Sequence, residues 1–157
     1  MADLQLRGTL PVPPPPPPSV LNESELELAR LQAEAAQEAE PLLEAVRRRD
    51  HRAVLDVLAD GRWFVQAVQA PEGERVQVIS GLGAHWVPIY TTPARMVEWL
   101  AHCGAPKPYH YLRVSGQTIL REVRQAQVGA EPVGLLLDPG AGHSVALPPT
   151  VNEERGQ

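Results

Sequence analysis

The sequence predicts an α+β fold, with a mainly antiparallel or mixed sheet packed with helices in the order ααβββαβαββ. Four segments place apolar residues at helical spacing, and six short runs are rich in β-branched and aromatic residues. Glycine and proline separate most of these segments. The hydrophobic share of 43% and the charged share of 21% are normal for a soluble globular protein.

Composition also limits the classes of function. A net charge of −5 argues against nucleic-acid binding through the overall field of the protein. A single cysteine excludes an intramolecular disulfide and fits a reducing compartment. Neither a signal-peptide pattern nor a membrane-spanning apolar run is present, so we expect a cytoplasmic protein.

The N-terminal segment is dominated by proline. "PVPPPPPP" begins at Pro11 and predicts a stiff polyproline II rod, because proline fixes φ and lacks an N–H. The rod is either a spacer or a ligand for an aromatic-lined groove. Residues 1–21 are therefore expected to be a disordered arm and residues 150–157 a disordered tail, which leaves a domain over residues 22–149. The candidate partner-binding prolines are Pro13, Pro14, Pro15, Pro16, Pro17 and Pro18.

The first helix opens at "NESE". Asn22 with Glu25, or Ser24 with Glu27, can form its capping box. Pro41 should kink the helix or begin a new one. Leu28, Leu31, Ala35, Leu42 and Val46 then recur at helical spacing on one face.

The arginines that follow allow two interpretations. Arg47–Arg49, together with Arg52, could bind phosphate or nucleic acid. The alternative is a solvated helix end surrounded by acids, which complements the helix dipole. The second interpretation agrees with the acidic balance of the chain.

"DHRAVLDVLADG" predicts a short second helix. Asp50 is its expected cap and Gly61 its expected left-handed stop. Val54, Leu55 and Leu58 form its buried stripe. A β-hairpin follows, formed by "RWFVQAV" and "RVQVIS" around the turn "APEG".

The next strand, "HWVPIY", contains Pro88, which cannot donate to a ladder. This strand is therefore expected at a sheet edge, or with a bulge. The segment "TTPARMVEWLAHCGAPKP" then predicts a helix capped by Thr92 and ended by Gly104. Its apolar face includes Met96, Trp99, Leu100 and Cys103, so we expect Cys103 to be buried.

The last third contains a strand, a helix and a closing hairpin. Ser115 is expected to cap "GQTILREVRQAQ". "VGLLLD" and "SVALP" are two strands joined by the loop "DPGAGHS".

That loop places an acid, a base and a hydroxyl close together. Asp138, His143 and Ser144 could form a hydrolytic site, but "AGHSV" is not the G-x-S-x-G elbow. The loop also lacks the lysine of a phosphate-binding P-loop. The alternative is a hairpin turn in which Asp138 accepts backbone N–H bonds while Gly140 and Gly142 take positive φ.

Histidine and tryptophan give two further candidate sites. His102, Cys103 and His110 lack the spacing of metal ligands, so no metal and no cofactor is predicted. Trp63, Trp86 and Trp99 are candidates for partner binding if exposed. Core packing is the alternative, since the chain has only one phenylalanine.

Four segments together resemble a known family. They are the helix opened by "NESE", "VPIYTTPARM", "LRVSGQTIL" and "VGLLLDPG". In this order they resemble the SseB N-terminal domain family, bacterial proteins named after an enhanced-serine-sensitivity protein. The resemblance covers residues 22–149 and implies no catalytic residues. The composition, rich in Ala, Arg, Val, Pro and Glu, is typical of high-GC actinobacteria.

The sequence thus predicts a non-enzymatic module that acts through protein–protein contact. A hydrolase or small-ligand-binding domain that uses the Asp138–Ser144 loop is the alternative. Neither nucleic acid nor membrane is an expected partner.

Overall fold

The computed structural model describes residues 5–11, 24–81, 83–129 and 131–148. This part of the chain contains four helices and eight strands. The helices are α1 Ser24–Arg47, α2 His51–Asp60, α3 Pro93–His102 and α4 Gly116–Gln125. The strands are β1 Gln5–Pro11, β2 Arg62–Ala70, β3 Gly73–Gly81, β4 Ala84–Ile89, β5 His110–Ser115, β6 Gln127–Val128, β7 Glu131–Leu137 and β8 Val145–Leu147.

All eight strands belong to one mixed sheet, in the order β5-β2-β3-β4-β7-β6, with β1 paired to β3 and β8 to β7. The predicted α+β class is therefore confirmed. Every pairing is antiparallel except that between β4 and β7, which is parallel. The chain returns from β4 to β7 through α3, β5, α4 and β6, because parallel neighbours need a long crossover.

Strand β4 is an interior strand, so the expectation that Pro88 marks a sheet edge is wrong. β3 pairs with β4 only as far as Trp86, and β2 meets β4 in an isolated bridge between Phe64 and Tyr90. Pro88 lies between these two contacts. The carbonyl of Ile89 faces β7, where it accepts the N–H of Asp138 at 2.8 Å. Backbone groups alternate along a strand, so the nitrogen of Pro88 points away from β7, toward the gap.

The main core lies between one face of the sheet and helices α1, α2 and α4. Strands β2, β4 and β7 contribute alternate residues to it, as a half-covered strand should. The largest side chain in this core is Trp63, fully buried, whose indole N–H donates to the carbonyl of Leu58 at 2.7 Å. The contact fastens β2 to the end of α2.

A second cluster lies on the opposite face, beneath α3 and the first half of α1. Its buried members are Ala35, Phe64, Tyr90, Met96 and Leu100. Helix α1 thus contributes to both clusters, because Leu42 lies in the main core.

Polar contacts fix α1 against the sheet. Arg113 of β5 pairs with Glu34 at 3.0 Å and with Glu38 at 2.6 Å. Its guanidinium also lies 5.3 Å from the centre of the Phe64 ring. Gln32 accepts the N–H of Ala94 at 3.0 Å, and thereby caps the first turn of α3.

Three predicted helix caps are confirmed. The side chain of Asp50 accepts the N–H of Ala53, and that of Thr92 accepts the N–H of Arg95. The hydroxyl of Ser115 accepts the N–H of Thr118. Gly104 ends α3 with φ +73°, as predicted.

Gly61 is not a left-handed stop, since its φ is −101°. The Trp63 ring explains this glycine better, because a Cβ at residue 61 would lie 2.4 Å from a ring carbon. Helix α1 runs through Pro41 without a break, so the prediction of a new helix there is wrong. The predicted cap at Asn22 lies outside the described residues.

The N-terminal segment differs in part from the expected disordered arm. Residues Gln5–Pro11 form β1, which runs antiparallel to β3. The free backbone edge of β3 explains the pairing, since an unpaired strand edge binds a further strand. Residues 12–23 and 149–157 lie outside the described residues, and so do Pro13–Pro18. Among the described helices, none is long and apolar enough to cross a membrane.

Candidate functional site

The candidate site lies where the parallel strands β4 and β7 end side by side. Tyr90, Thr91 and Thr92 follow β4 and lead into α3, and the loop Asp138–Ser144 follows β7. In sheets with parallel strands, ligands commonly bind at the carboxyl ends of the strands. Several polar groups meet at this edge.

Asp138 is the central polar group of this edge. Asp138 is fully buried, and its φ of +43° is unusual for a non-glycine residue. Oδ1 accepts the backbone N–H of Thr91 at 2.8 Å, and Oδ2 accepts the Thr91 hydroxyl at 2.7 Å. Oδ2 also lies 2.6 Å from Nε2 of His143. The sequence predicted that Asp138 accepts backbone N–H bonds within the hairpin turn; the N–H that it accepts comes instead from Thr91, which follows β4.

His143 and Ser144 have different hydrogen-bond partners. Nε2 of His143 is directed at Asp138, whereas the Ser144 hydroxyl donates to the carbonyl of Leu137 at 3.0 Å. A hydrolytic triad needs the hydroxyl within hydrogen-bond reach of the imidazole. The structure therefore contains the Asp138–His143 pair, but the Ser144 hydroxyl is not hydrogen-bonded to His143.

The glycines of the loop differ in conformation. Gly140 takes φ +81° as predicted, but Gly142 is not among the residues with positive φ, so that prediction is wrong. Gly140 also lies against Trp99, because a Cβ there would meet the indole ring at 2.8 Å. The indole of Trp99 also stacks on His102, with ring centres 5.7 Å apart.

Two buried polar atoms near this edge lack a hydrogen-bond partner among the described residues. They are the hydroxyl of Tyr90 and the indole nitrogen of Trp99. Burial raises the pKa of Tyr90 well above its usual range, and the nearby Cys103 and Asp138 raise it further. The phenol therefore stays neutral at physiological pH.

The three tryptophans occupy different environments. Trp63 and Trp86 are 0% and 5% exposed, so both serve the core and neither is open to a partner. Trp86 packs on Gly134 and donates its indole N–H to the carbonyl of Gly81 at 2.8 Å. Trp99 is half-buried and remains the one tryptophan that a partner could reach.

Cys103 is exposed, contrary to the expected buried position. Its helical phase points toward the sheet, but α3 ends at His102 and leaves Cys103 at the C-cap. Partial burial of the sulfur still raises the pKa of this thiol. The described residues contain no group of three or more His, Cys, Asp and Glu that could hold a metal ion.

The arginines at the end of α1 are engaged with acids. Arg47 contacts Glu40 and Glu44, and Arg48 contacts Glu44 as well. Hydrogen bonds from these two arginines lower the pKa of Glu44. This arrangement agrees with a solvated helix end and leaves less free positive charge for a phosphate.

A polar cluster that the sequence did not suggest lies at the other end of the sheet. Ser80 Oγ is 2.8 Å from Nδ1 of His85, and Nε2 of His85 is 2.5 Å from Glu131. Glu131 is 46 residues from His85 in the sequence, so only the strand order brings it to the other two. The hairpin register of β3 and β4 is the one local signal that could have paired Ser80 with His85.

Large apolar side chains are exposed at three described positions, Leu26, Leu28 and Val97. Leu28 lies one helical turn before Gln32, whose side chain holds the first turn of α3. Val97 lies on the solvent face of α3, between the exposed Ala94 and Ala101. Leu28 and Val97 thus belong to two helices joined by one hydrogen bond, whereas Leu26 points in a different direction from α1.

Comparison with known proteins gives one match. The family model of the SseB protein N-terminal domain covers residues 38–151, which is most of the chain. No match was found among curated proteins, and none among solved structures. The matched region includes the β4–α3 junction and the Asp138–Ser144 loop. The chain therefore belongs to the SseB N-terminal domain family.

Proposed function

We propose that this domain acts by binding another protein through a surface on α1 and α3 that includes Leu28 and Val97. The observation that carries the proposal is their exposure, 42% for Leu28 and 44% for Val97, on helices that Gln32 ties together. Large apolar side chains left exposed on a folded domain are available for contact with a partner. Trp99, also on α3 and half-buried, is a further side chain of the kind that anchors interfaces.

The proposed role is non-enzymatic. In support, the Ser144 hydroxyl is bonded to the carbonyl of Leu137 and is not directed at His143. The carboxylate of Asp138 is fully used in joining the loop to Thr91 and His143. We propose that the Asp138–Ser144 loop keeps the edge of the sheet beside α3 rigid. The proline arm and the acidic helix α1 are proposed as accessory contact surfaces. The proposed location of the protein is the cytoplasm.

Charge substitution tests the surface. Leu28→Glu and Val97→Glu place a charge in the proposed contact. The matched control is Leu26→Glu, because Leu26 is 81% exposed and lies outside that contact. Photo-crosslinking from a residue beside Val97 should give one partner that the unchanged chain and Leu26→Glu both capture. Both surface variants should lose that partner while unfolding at the parent temperature. Equal capture by all four proteins would refute the surface.

Deletion of Pro11–Pro18 tests the accessory role of the arm. A partner lost on this deletion but kept by Val97→Glu would move the binding site to the arm.

The hydrolase alternative is tested by screening ester and amide substrates with His143→Ala and Ser144→Ala. Turnover that both substitutions abolish would overturn the non-enzymatic proposal.

A further inference from the structure

Three strands bring a hydroxyl, an imidazole and a carboxylate into one row. Ser80 of β3 is the cross-strand neighbour of His85 of β4. His85 in turn lies beside Val133 of β7, two residues after Glu131. The side chains follow this order, with 2.8 Å from Ser80 Oγ to Nδ1 and 2.5 Å from Nε2 to Glu131.

The carboxylate determines which nitrogen of His85 carries the proton. An ionised carboxylate only accepts hydrogen bonds, so Nε2 donates to Glu131. In the neutral ring the remaining nitrogen, Nδ1, is then an acceptor. Ser80 therefore donates its hydroxyl proton to Nδ1. This is the arrangement in which an imidazole can deprotonate a serine.

The cluster is held firmly and remains accessible. The side chain of His85 is 13% exposed, whereas that of Glu131 is 72% exposed. Ser80 is half-buried, and its backbone lies between β1 and β4. Paired strands on both sides fix the serine, and its side chain is only partly buried.

We propose that Ser80 is an acyl-acceptor site, with His85 as its base and Glu131 as a positioning residue. An activated acyl donor, such as a thioester or an aryl ester, supplies the acyl group. Ser80 Oγ forms a bond to the acyl carbon while His85 Nδ1 takes the hydroxyl proton. The bond to the thiol or phenol then breaks, and the leaving group departs with that proton or as its anion.

The proposal assigns one acyl transfer to each chain. The serine ester that forms is a less reactive acyl donor than the thioester or aryl ester, because an alkoxide is a poorer leaving group than a thiolate or phenolate, so its hydrolysis is slow without oxyanion donors. The cluster provides a nucleophile and a base, and the backbone of Ser80 is occupied by strand pairing. Ser80 is thus proposed as a site of covalent modification by acylation. It is independent of the Leu28–Val97 surface and compatible with a non-catalytic protein.

Reaction with p-nitrophenyl acetate tests the proposal. The full chain should release one nitrophenolate per molecule in a burst, and peptide mapping should place one acetyl group on Ser80. Ser80→Ala should abolish the labelling of that peptide. His85→Ala should slow it by about 100-fold or more, the usual contribution of a general base. Ser144→Ala is the matched control and should keep the full burst.

Two more variants separate chemistry from folding. Ser80→Cys should react with iodoacetamide faster than Cys103 and should lose that advantage when His85→Ala is added. Glu131→Gln keeps a hydrogen-bond acceptor and should retain more labelling than Glu131→Ala, at equal thermal stability. Acetylation spread over other side chains, or a burst unchanged in Ser80→Ala, would overturn the assignment. Equal rates in the two Glu131 variants would remove its positioning role.

Discussion

The carboxylate of Asp138 accepts both the backbone N–H and the hydroxyl of Thr91, at 2.8 Å and 2.7 Å. Thr91 follows β4 and Asp138 follows β7, so the two bonds join the ends of the parallel strands. His143 adds a third contact to the same carboxylate. The edge beside α3 is therefore held by one buried acid.

Two substitutions of Asp138 should separate the loss of its hydrogen-bond acceptors from the loss of its charge. Asp138→Ala leaves the buried N–H and hydroxyl of Thr91 unpaired, and should lower the free energy of unfolding by about 3 kcal/mol. Asp138→Asn keeps one acceptor and tolerates the positive φ, so its loss should be about 1 kcal/mol. Urea unfolding gives both values. Equal losses would contradict this account of the edge.

The two glycines of the loop should respond differently to alanine. Gly140→Ala places a methyl group 2.8 Å from the Trp99 ring at a left-handed φ, and should cost about 2 kcal/mol. Gly142→Ala meets nothing within 4 Å and should change stability by less than about 0.5 kcal/mol. The thermal unfolding midpoint and the fluorescence of Trp99 are the measurements. A stable Gly140→Ala protein would show that Trp99 does not pack there.

Tyr90→Phe should increase stability. The substitution removes a buried hydroxyl that has no partner among the described residues, and we expect a gain of about 1 kcal/mol. The raised pKa of Tyr90 adds a pH effect. Above about pH 10 the phenol ionises only in the unfolded chain, so stability falls as the pH rises. Chemical unfolding between neutral and alkaline pH should show a shallower decline for Tyr90→Phe, and identical curves would contradict this.

Cys103 should be slow to react despite its exposure. Because partial burial raises the pKa of the thiol, less thiolate is present at neutral pH than in a free cysteine. Reaction with a disulfide reagent should therefore be slower in the native protein than in urea, and should accelerate as the pH rises. A native rate equal to the unfolded rate would show that the sulfur is fully solvated.

Local features of the fold were predictable from the sequence. Asp50, Thr92 and Ser115 each bond to an N–H three residues later, so their caps depend only on nearby chain. The closing hairpin of β7 and β8 was equally local. These features follow from short-range geometry.

Contacts between distant segments were not predictable. Nothing near Asp138 indicates Thr91, and nothing near Arg113 indicates Glu34 or Glu38 on α1. Strand pairing decides such contacts, and pairing needs the whole sheet. The interior position of Pro88 was missed for the same reason, since only the tertiary arrangement shows where β2 and β3 leave β4.

The parallel pairing of β4 with β7 also sets an order of assembly. During synthesis β4 is complete long before β7 emerges, because α3, β5 and α4 are translated between them. The hairpin of β2 and β3 can form early from local contacts. The edge of β4 that pairs with β7 stays unpaired until β7 has been synthesised. An unpaired strand edge in a nascent chain is prone to aggregate. Ribosome-bound chains that stop before Glu131 should therefore depend on chaperones far more than chains released after Leu147.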